Sequence, residues 1–401
     1  MGERIREIST GFGWVVLSLL YLSFAVPALI IIFSYLFDYR DGFATVSHIG
    51  IPVHDFGAFW LAGWLTNQGD FQSIYHPDMF RAELGRILDA PGTGLGWYYP
   101  PQSLPMVSFV AILPPKPAFL LWTLGLPILA YSLLRRAGYD RFIVTCMLFS
   151  PPMLINSMGG QRGLLLAMLA MLGSAVINRS GGRVGIFLGL VVLKPGAMLL
   201  VPVALLALRA WRILAWAVVG GSGLTLIAWA LYGENAFVLY WNHTVPDIRW
   251  MLENDHRVSA WRNATTVFWS LRAFDFSVAA SLAAQAVASV AVVAVVYAVG
   301  RSSHANPKLT VALALILSPM ASSYGFVYDM VGYAGGLALA SRAAGREITL
   351  FDGFLWLAPM LVVLLATVPG YDFSLMPVVI LAAAAYMVGV PMWRSARASG
   401  S

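Results

Sequence analysis

The chain has 401 residues, 59% hydrophobic and only 11% charged, against about 25% charged in soluble domains. Mean hydropathy is +0.75, more apolar surface than a soluble core can hide, so the composition excludes a soluble domain and predicts an all-α polytopic membrane protein. The formal charge of +6 does not indicate nucleic acid, because Lys and Arg sit mainly in short loops, as the positive-inside bias predicts; the lone Cys146 excludes an intrachain disulfide.

The first apolar run covers about residues 11–37 and follows Arg4 and Arg6. It is too long for a signal-peptide core and no small-residue cleavage site follows, so it predicts a retained anchor with a cytoplasmic N-terminus. Residues 38–101 then form a first long extracytoplasmic loop. Within it Phe59, Trp60, Leu61, Trp64 and Leu65 fall on one face at helical spacing, predicting a helix along the membrane surface with Asp55 held at its start. A second amphipathic piece runs from Pro77 to Leu88, and Tyr98-Tyr99-Pro100-Pro101 closes the loop.

Apolar segments follow near 102–113, 117–134, 142–157, 163–178, 184–208 and 212–232, then near 277–299, 309–323, 327–341, 350–368 and 375–393. With the anchor, about 10–12 transmembrane helices are expected in a single membrane domain spanning 1–401, several of them shorter than the roughly 20 residues a crossing needs. Short segments predict tilted, broken or re-entrant helices. Arg179 and Arg183, Arg209 and Arg212, Arg301 and Lys308, Arg342 and Arg346, and Arg394 and Arg397 mark cytoplasmic turns. The 54–101 stretch, a second long loop at 233–275 and the turns near 158–162, 324–329 and 369–373 then face outward. Arg135 and Arg136 leave 102–134 one crossing short unless it contains a half-helix. Segment 184–208 begins and ends on cytoplasmic charges, so it turns back, and Lys194-Pro195 is the natural break.

Several polar residues carry candidate chemistry. Asp55 is a helix cap by residue type and equally a carboxylate placed to accept a proton; His54 beside it can share that proton or be an ordinary loop histidine. A lysine within an apolar run costs about 2.5–3.5 kcal/mol on insertion scales, so Lys194 either faces a cavity as a phosphate ligand or snorkels at a hairpin tip. Gly159-Gly160-Gln161-Arg162-Gly163 is a glycine-rich turn whose Arg162 can pair with a phosphate, or a plain loop. Tyr324, Tyr328 and Asp329 after Ser318-Pro319 are an interfacial anchor or a sugar-orienting set. The 233–275 loop interleaves His243, Asp247, Arg249, Glu253, His256, Arg262 and Asn263 with Trp241, Trp250 and Trp261, a mixture suited to carbohydrate stacking and to an interfacial loop alike. There is no Walker A motif, paired CxxC, HExxH or Gly-rich dinucleotide motif, and nothing in the sequence requires a metal or cofactor.

The ordered set His54-Asp55-Phe56 with Trp60, Tyr75-His76-Pro77, Tyr99-Pro100-Pro101, Gly160-Gln161, Lys194-Pro195 and Tyr328-Asp329 resembles glycosyltransferase family 87. The resemblance runs from about residue 50 to 340, and it is the order that carries it, since no single motif is specific. It implies a GT-C fold and transfer of a sugar from a polyprenyl-phosphate donor to a lipid or glycan acceptor in cell-envelope glycolipid synthesis. The family includes mycobacterial mannosyltransferases that extend phosphatidylinositol mannosides. By position the resemblance makes Asp55 the catalytic base, places Gln161 and Lys194 at the polar turn and the Lys-Pro motif, and matches Asp329 to the late Tyr-Asp motif. The expected site therefore has Lys194 and Arg162 on the donor phosphate, and His54, Tyr98, Tyr99, Gln161, Tyr328, Asp329, His256, Arg262 and Asn263 around the sugar and acceptor. The expected setting is a bacterial cytoplasmic membrane with the site on its periplasmic side. The chain departs from the family at Gly196, where relatives carry glutamine, and at Arg162, where asparagine is common. It also has no histidine between Ser318 and Asp329, so mannose is not secured. Two other readings stay open: a lipid or solute transporter without chemistry, and an O-antigen-ligase-like glycan transferase.

Overall fold

The structure is a computed structural model that describes residues 2–37, 39–40, 43–44, 54–87, 95–175, 182–254, 262–303, 305–345, 347–368, 370–371 and 373–398. Apart from a two-residue antiparallel pairing of Tyr39–Arg40 with Phe43–Ala44, the regular elements are helical. Among the described residues, four helices contain stretches long and apolar enough to cross a membrane: Gly13–Ile30, Pro115–Arg136, Trp211–Asn254 and Val278–Arg301. Arg141–Leu148 and Pro151–Gly159 form an apolar pair bent by 49°, the geometry of a broken span or a re-entrant loop. The bend falls at Ser150-Pro151-Pro152, where prolines cannot continue the hydrogen-bond ladder and Ser150 caps the second half through Met153 N–H. Shorter apolar helices are Gly163–Ser174, Gly182–Leu193, Pro307–Met320, Leu350–Leu365 and Met376–Gly389. The protein is an all-α, multi-pass membrane protein.

The centre of the bundle is built from Gly163–Ser174, Pro307–Leu317 and Val331–Ala343, each apolar and buried around nearly its whole circumference, as a helix without a polar face must be. Close approach between them needs small residues; a methyl group on Gly336 would come within 2.8 Å of the Ala312 carbonyl oxygen. These three helices share one orientation rule. Gly163–Ser174 starts after Arg162, Val331–Ala343 starts two residues after Asp329, and Pro307–Leu317 ends just before Ser318. Their polar breaks therefore collect at the same end of the core, the end that carries Asp55.

Both irregular segments have a physical explanation. Leu104–Val110 has seven residues, about 10 Å at 1.5 Å per residue, so it is the half-helix and Pro115–Arg136 is the crossing. Residues 182–207 turn back as their flanking charges require. Gly182–Leu193 climbs parallel to the start of Trp211–Asn254: a methyl group on Gly185 would lie 2.0 Å from Ile213 O, and one on Gly189 2.2 Å from Ala217 O. At Lys194 the backbone leaves the helix (φ −153°, ψ 80°), and Leu200–Ala207 returns to the Arg209–Arg212 turn. The hairpin tip is satisfied by side chains, as irregular backbone at membrane depth demands. Ser103 Oγ donates to Leu193 O at 3.0 Å, and Ser318 Oγ accepts from Leu200 N at 3.2 Å.

The helix His54–Gln68 differs from the expected surface helix. It is buried on more than one side, leaving mainly Trp64, Asn67 and Gln68 exposed. Phe59, Leu61 and Leu65 pack with the helices Phe71–Tyr75 and Pro77–Ile87, while Phe56 packs on Phe119 in a second cluster. Gly63 lets Leu104–Val110 close in, since a methyl group there would stand 2.0 Å from Val107 O. The single-stripe reading saw one partner; the helix has two.

The backbone-close hairpin packing makes a stability prediction. Gly185→Leu or Gly189→Leu should each lower the unfolding free energy in detergent by about 1–3 kcal/mol or more through overpacking. Gly223→Ala, which points into open space, should leave the unfolding midpoint within error; equal midpoints for all three variants would refute the packing argument.

Candidate functional site

The site is assembled from the four places where helices break at the Asp55 end. Asp55 lies in the first turn of His54–Gln68. The turn after Pro151–Gly159 brings Gln161 to it: Gly160 ends that helix in the left-handed region (φ 63°), which a glycine adopts at no steric cost. A side chain there would also strike Phe56 Cβ at 2.5 Å. Gln161 is fixed by its backbone, its N–H donating to Asn156 O at 2.8 Å and its carbonyl accepting from Trp122 Nε1 at 3.1 Å. Its side chain hydrogen-bonds Asp55. Although Asp55 as a residue keeps partial exposure, protein crowds its carboxyl, and this desolvation raises its pKa above the ordinary carboxylate value. The Gln161 hydrogen bond and the Lys194 charge pull it down less strongly, and the Asp329 charge adds a small push upward.

Lys194 and Asp329 form a buried ion pair, Nζ lying 2.7 Å from both carboxylate oxygens. Lys194 is 8% exposed and Asp329 2%, so the lysine does not snorkel. The ammonium also sits 5.1 Å from the Tyr328 ring centre. The sequence placed the two residues on opposite partners, one on phosphate and one on sugar or acceptor; the structure places them on each other.

Arg162 is buried as well, 1% exposed, but no carboxylate is paired with it among the described residues. Its guanidinium lies 3.5 Å from the Tyr99 ring centre and 4.9 Å from that of Phe59, a cation–π arrangement. Nη1 reaches Ser103 Oγ at 3.4 Å, while Nε and Nη2 lack a hydrogen-bond partner.

Tyr98, Tyr99, Tyr324 and Tyr328 complete the cluster. Burial raises the Tyr324 and Tyr328 phenols well above the ordinary tyrosine range, and the charges of Asp55 and Asp329 reinforce it. Both therefore stay neutral donors at physiological pH. Tyr328 is held from behind by Asn156 Nδ2, which donates to its carbonyl at 3.3 Å, and by Gly163, where a methyl group would stand 2.2 Å from that oxygen. Sequence reading missed Asn156, Ser103, Phe59 and Trp97 as site supports; only the Pro100-Pro101 break beside Ser103 signalled any of them.

Arg81, which the sequence did not single out, joins Tyr98 Oη (3.2 Å) to Asp247 and Asp78, tying the first long loop to the second. Arg262 donates to Ala366 O at 2.8 Å and Asn263 O accepts from Val327 N at 3.0 Å. Asn263 thus flanks the Tyr328-Asp329 turn, while the bond to Ala366 O ties Arg262 to another part of the chain. His54 begins its helix, and its side chain lies outside the described residues, as does His256. No cluster of three or more His, Cys, Asp or Glu suited to a metal occurs among the described residues.

Two carboxylates, two cations and four phenols enclosed at a membrane-protein helix boundary fit a carbohydrate-processing centre, and sequence comparison agrees. Residues 97–323 match the family described as Glycosyltransferase family 87. The chain belongs to this family. No curated protein and no solved structure matches it. The family 87 match covers Tyr98, Tyr99, Gln161, Arg162 and Lys194 but stops short of Asp55 on one side and Asp329 on the other. Contacts bring those two in: Asp55 through Gln161, and Asp329 through Lys194.

Breaking the ion pair tests how far the site depends on it. Removing one partner of a buried pair leaves an uncompensated charge, costing about 3–5 kcal/mol. Lys194→Met and Asp329→Asn should each destabilise this glycosyltransferase by that order in denaturant titrations, and the double variant should recover much of the loss. Strictly additive losses would mean the two side chains are not coupled.

Proposed function

We propose that this family 87 glycosyltransferase is an inverting enzyme. It moves a sugar from a polyprenyl-phosphate donor to a lipid or glycan hydroxyl at the outer face of a bacterial cytoplasmic membrane, within one membrane domain comprising the whole chain. Asp55 removes the acceptor proton, the acceptor oxygen bonds to the anomeric carbon, and the bond to the donor phosphate breaks with its electron pair leaving on the lipid phosphate. Lys194 and Arg162 offset the charge that develops on that phosphate. Asp329 holds Lys194 in place and leaves one of its three N–H donors for the donor. Tyr98, Tyr99, Gln161, Tyr328 and Asp329 are assigned to the sugar and acceptor, and so, by the family resemblance alone, are His54, His256, Arg262 and Asn263. Mannose is the first sugar to test, given the mycobacterial relatives.

The observation that carries this reading is the meeting of one carboxylate of raised pKa with two enclosed cations. A base works best with a pKa near the operating pH, and burial moves Asp55 in that direction. The cations can meet phosphate charge without a metal.

The decisive experiment offers purified protein in lipid a panel of polyprenyl-monophosphate sugars and follows release of polyprenyl phosphate. Asp55→Asn, shown to be folded, should turn over about 10²–10⁴ times more slowly; undiminished release would remove Asp55 from the chemistry. Turnover only of diphosphate-linked glycans would favour the ligase reading, and no binding of any lipid-linked sugar would favour transport.

The pH profile supplies a second check. Asp55 acts as carboxylate, so activity should fall as pH drops through its raised pKa. The Gln161 hydrogen bond lowers that pKa, so Gln161→Leu should move the acidic limb of kcat/KM to higher pH. A limb that stays put in folded Gln161→Leu would separate the limb from Asp55.

A further inference from the structure

The three core helices that carry site breaks at one end converge at the other end on a cavity of about 290 Å³, near the lower edge of small-ligand sites. Gly163–Ser174 reaches it with Ser174, Val331–Ala343 with Arg342 and Ala343, and Pro307–Leu317 begins in it with Pro307 and Lys308. At 1.5 Å per residue these helices of 11–13 residues put it about 16–20 Å from the Asp55 cluster. Nothing in the glycosyl-transfer chemistry uses it.

The cavity is amphiphilic. Ile143, Val311 and Leu339 line it, and buried Tyr139 and Ser174 contribute hydroxyls whose hydrogens are already given to Met171 O and to Ala170 and Met171 O. Lys308 and Arg342 border it where the protein is exposed, and the Asp140 carboxylate belongs to the same lining, so two cations face one carboxylate. Arg342 has local reasons to be there: it occupies the last turn of its helix, where the dipole favours a cation, pairs with Asp140 at 3.1 Å, and stacks over Phe142. Lys308 has none. It stands in the first turn of Pro307–Leu317, the end at which the dipole disfavours a cation, and among the described residues no carboxylate is paired with it. The helix N-terminus itself is closed by Asn306, whose Oδ1 accepts from Lys308 N and Leu309 N, so it is the two cations, set against the single carboxylate of Asp140, that favour an anion here.

We propose that this cavity binds an anionic phospholipid. Its phosphate sits between Lys308 and Arg342, and its glycerol end and first acyl carbons lie against Ile143, Val311 and Leu339. A free phosphate would leave the apolar wall unused. The arginine- and lysine-rich ends of membrane helices also face the leaflet where anionic lipids attract cations.

The test uses the full chain in detergent, offered equal amounts of phosphatidylglycerol and phosphatidylcholine with matched acyl chains, with retained lipid counted by native mass spectrometry. The wild type should retain phosphatidylglycerol over phosphatidylcholine by about fivefold or more. Lys308→Gln, an exposed change, should reduce that preference to near unity, and Lys308→Arg should keep it. Inorganic phosphate in excess should not displace the lipid. Equal retention of both lipids by the wild type, an unchanged preference in Lys308→Gln, or displacement by inorganic phosphate would each overturn the proposal. The readout is lipid retention, so it stands or falls apart from the transfer reaction.

Discussion

The Lys194–Asp329 ion pair is the constraint on which the Asp55 end of the molecule depends. Taking both charges out of water costs several kcal/mol each after relaxation, so such a pair persists only with good geometry. Here the geometry is bidentate, with both contacts at 2.7 Å. The lysine stands at the tip of a hairpin that enters from the opposite end, and the aspartate on the break between two fully buried helices. Their contact fixes where the hairpin stops, and so where Ser318 caps its returning arm and Ser103 meets the carbonyl of its climbing arm. Without an electrostatic stop, the glycine-lined packing of Gly182–Leu193 against its neighbour would leave the depth of the tip set by backbone contact alone.

The site handles its second buried cation differently. Arg162 is surrounded by aromatic faces, which suits a guanidinium because it is planar and more weakly hydrated than an ammonium. With Lys194 and Asp329 neutralising each other, Asp55 and Arg162 are the remaining opposite charges of the cluster, held by an amide and by rings. On the proposed reaction, a donor phosphate would favour the cations and an acceptor hydroxyl the carboxylate, with neither charge placed in bulk water.

Much of the fold was legible in the sequence because hydropathy and charge are local signals. The expected segments near 142–157, 212–232, 277–299 and 350–368 overlap observed helices, and the reversal at Lys194-Pro195 followed from arginines flanking a segment too short to cross twice as straight helices. What was not legible rests on partners distant in sequence. Lys194 and Asp329 are 135 residues apart, and no local pattern distinguishes a phosphate ligand from an ion-pair partner. Asn156 and Ser103 look like ordinary polar residues until the carbonyls they serve, those of Tyr328 and Leu193, are in place. The helix His54–Gln68 misled in the same way: its apolar stripe was visible, but the Phe56–Phe119 contact on another face was not.

Enclosure of the site has a mechanical consequence. Gln161, Arg162, Lys194 and Asp329 are each no more than 8% exposed, so a sugar reaches them only if part of the wall yields. The wall at Tyr98 includes a polar link. Its hydroxyl is bonded to Arg81, which in turn holds Asp247 on the second long loop, and Arg81 keeps partial exposure. By contrast Tyr99 is pinned by Arg162, Phe59 and Trp97, and Tyr328 by two contacts on its carbonyl. Low local contact and solvent-exposed polar bonds mark the parts of a structure that open most cheaply. On the proposed reaction, entry past Tyr98 would release the Arg81 link and leave the ion pair and the Asp55–Gln161 contact intact.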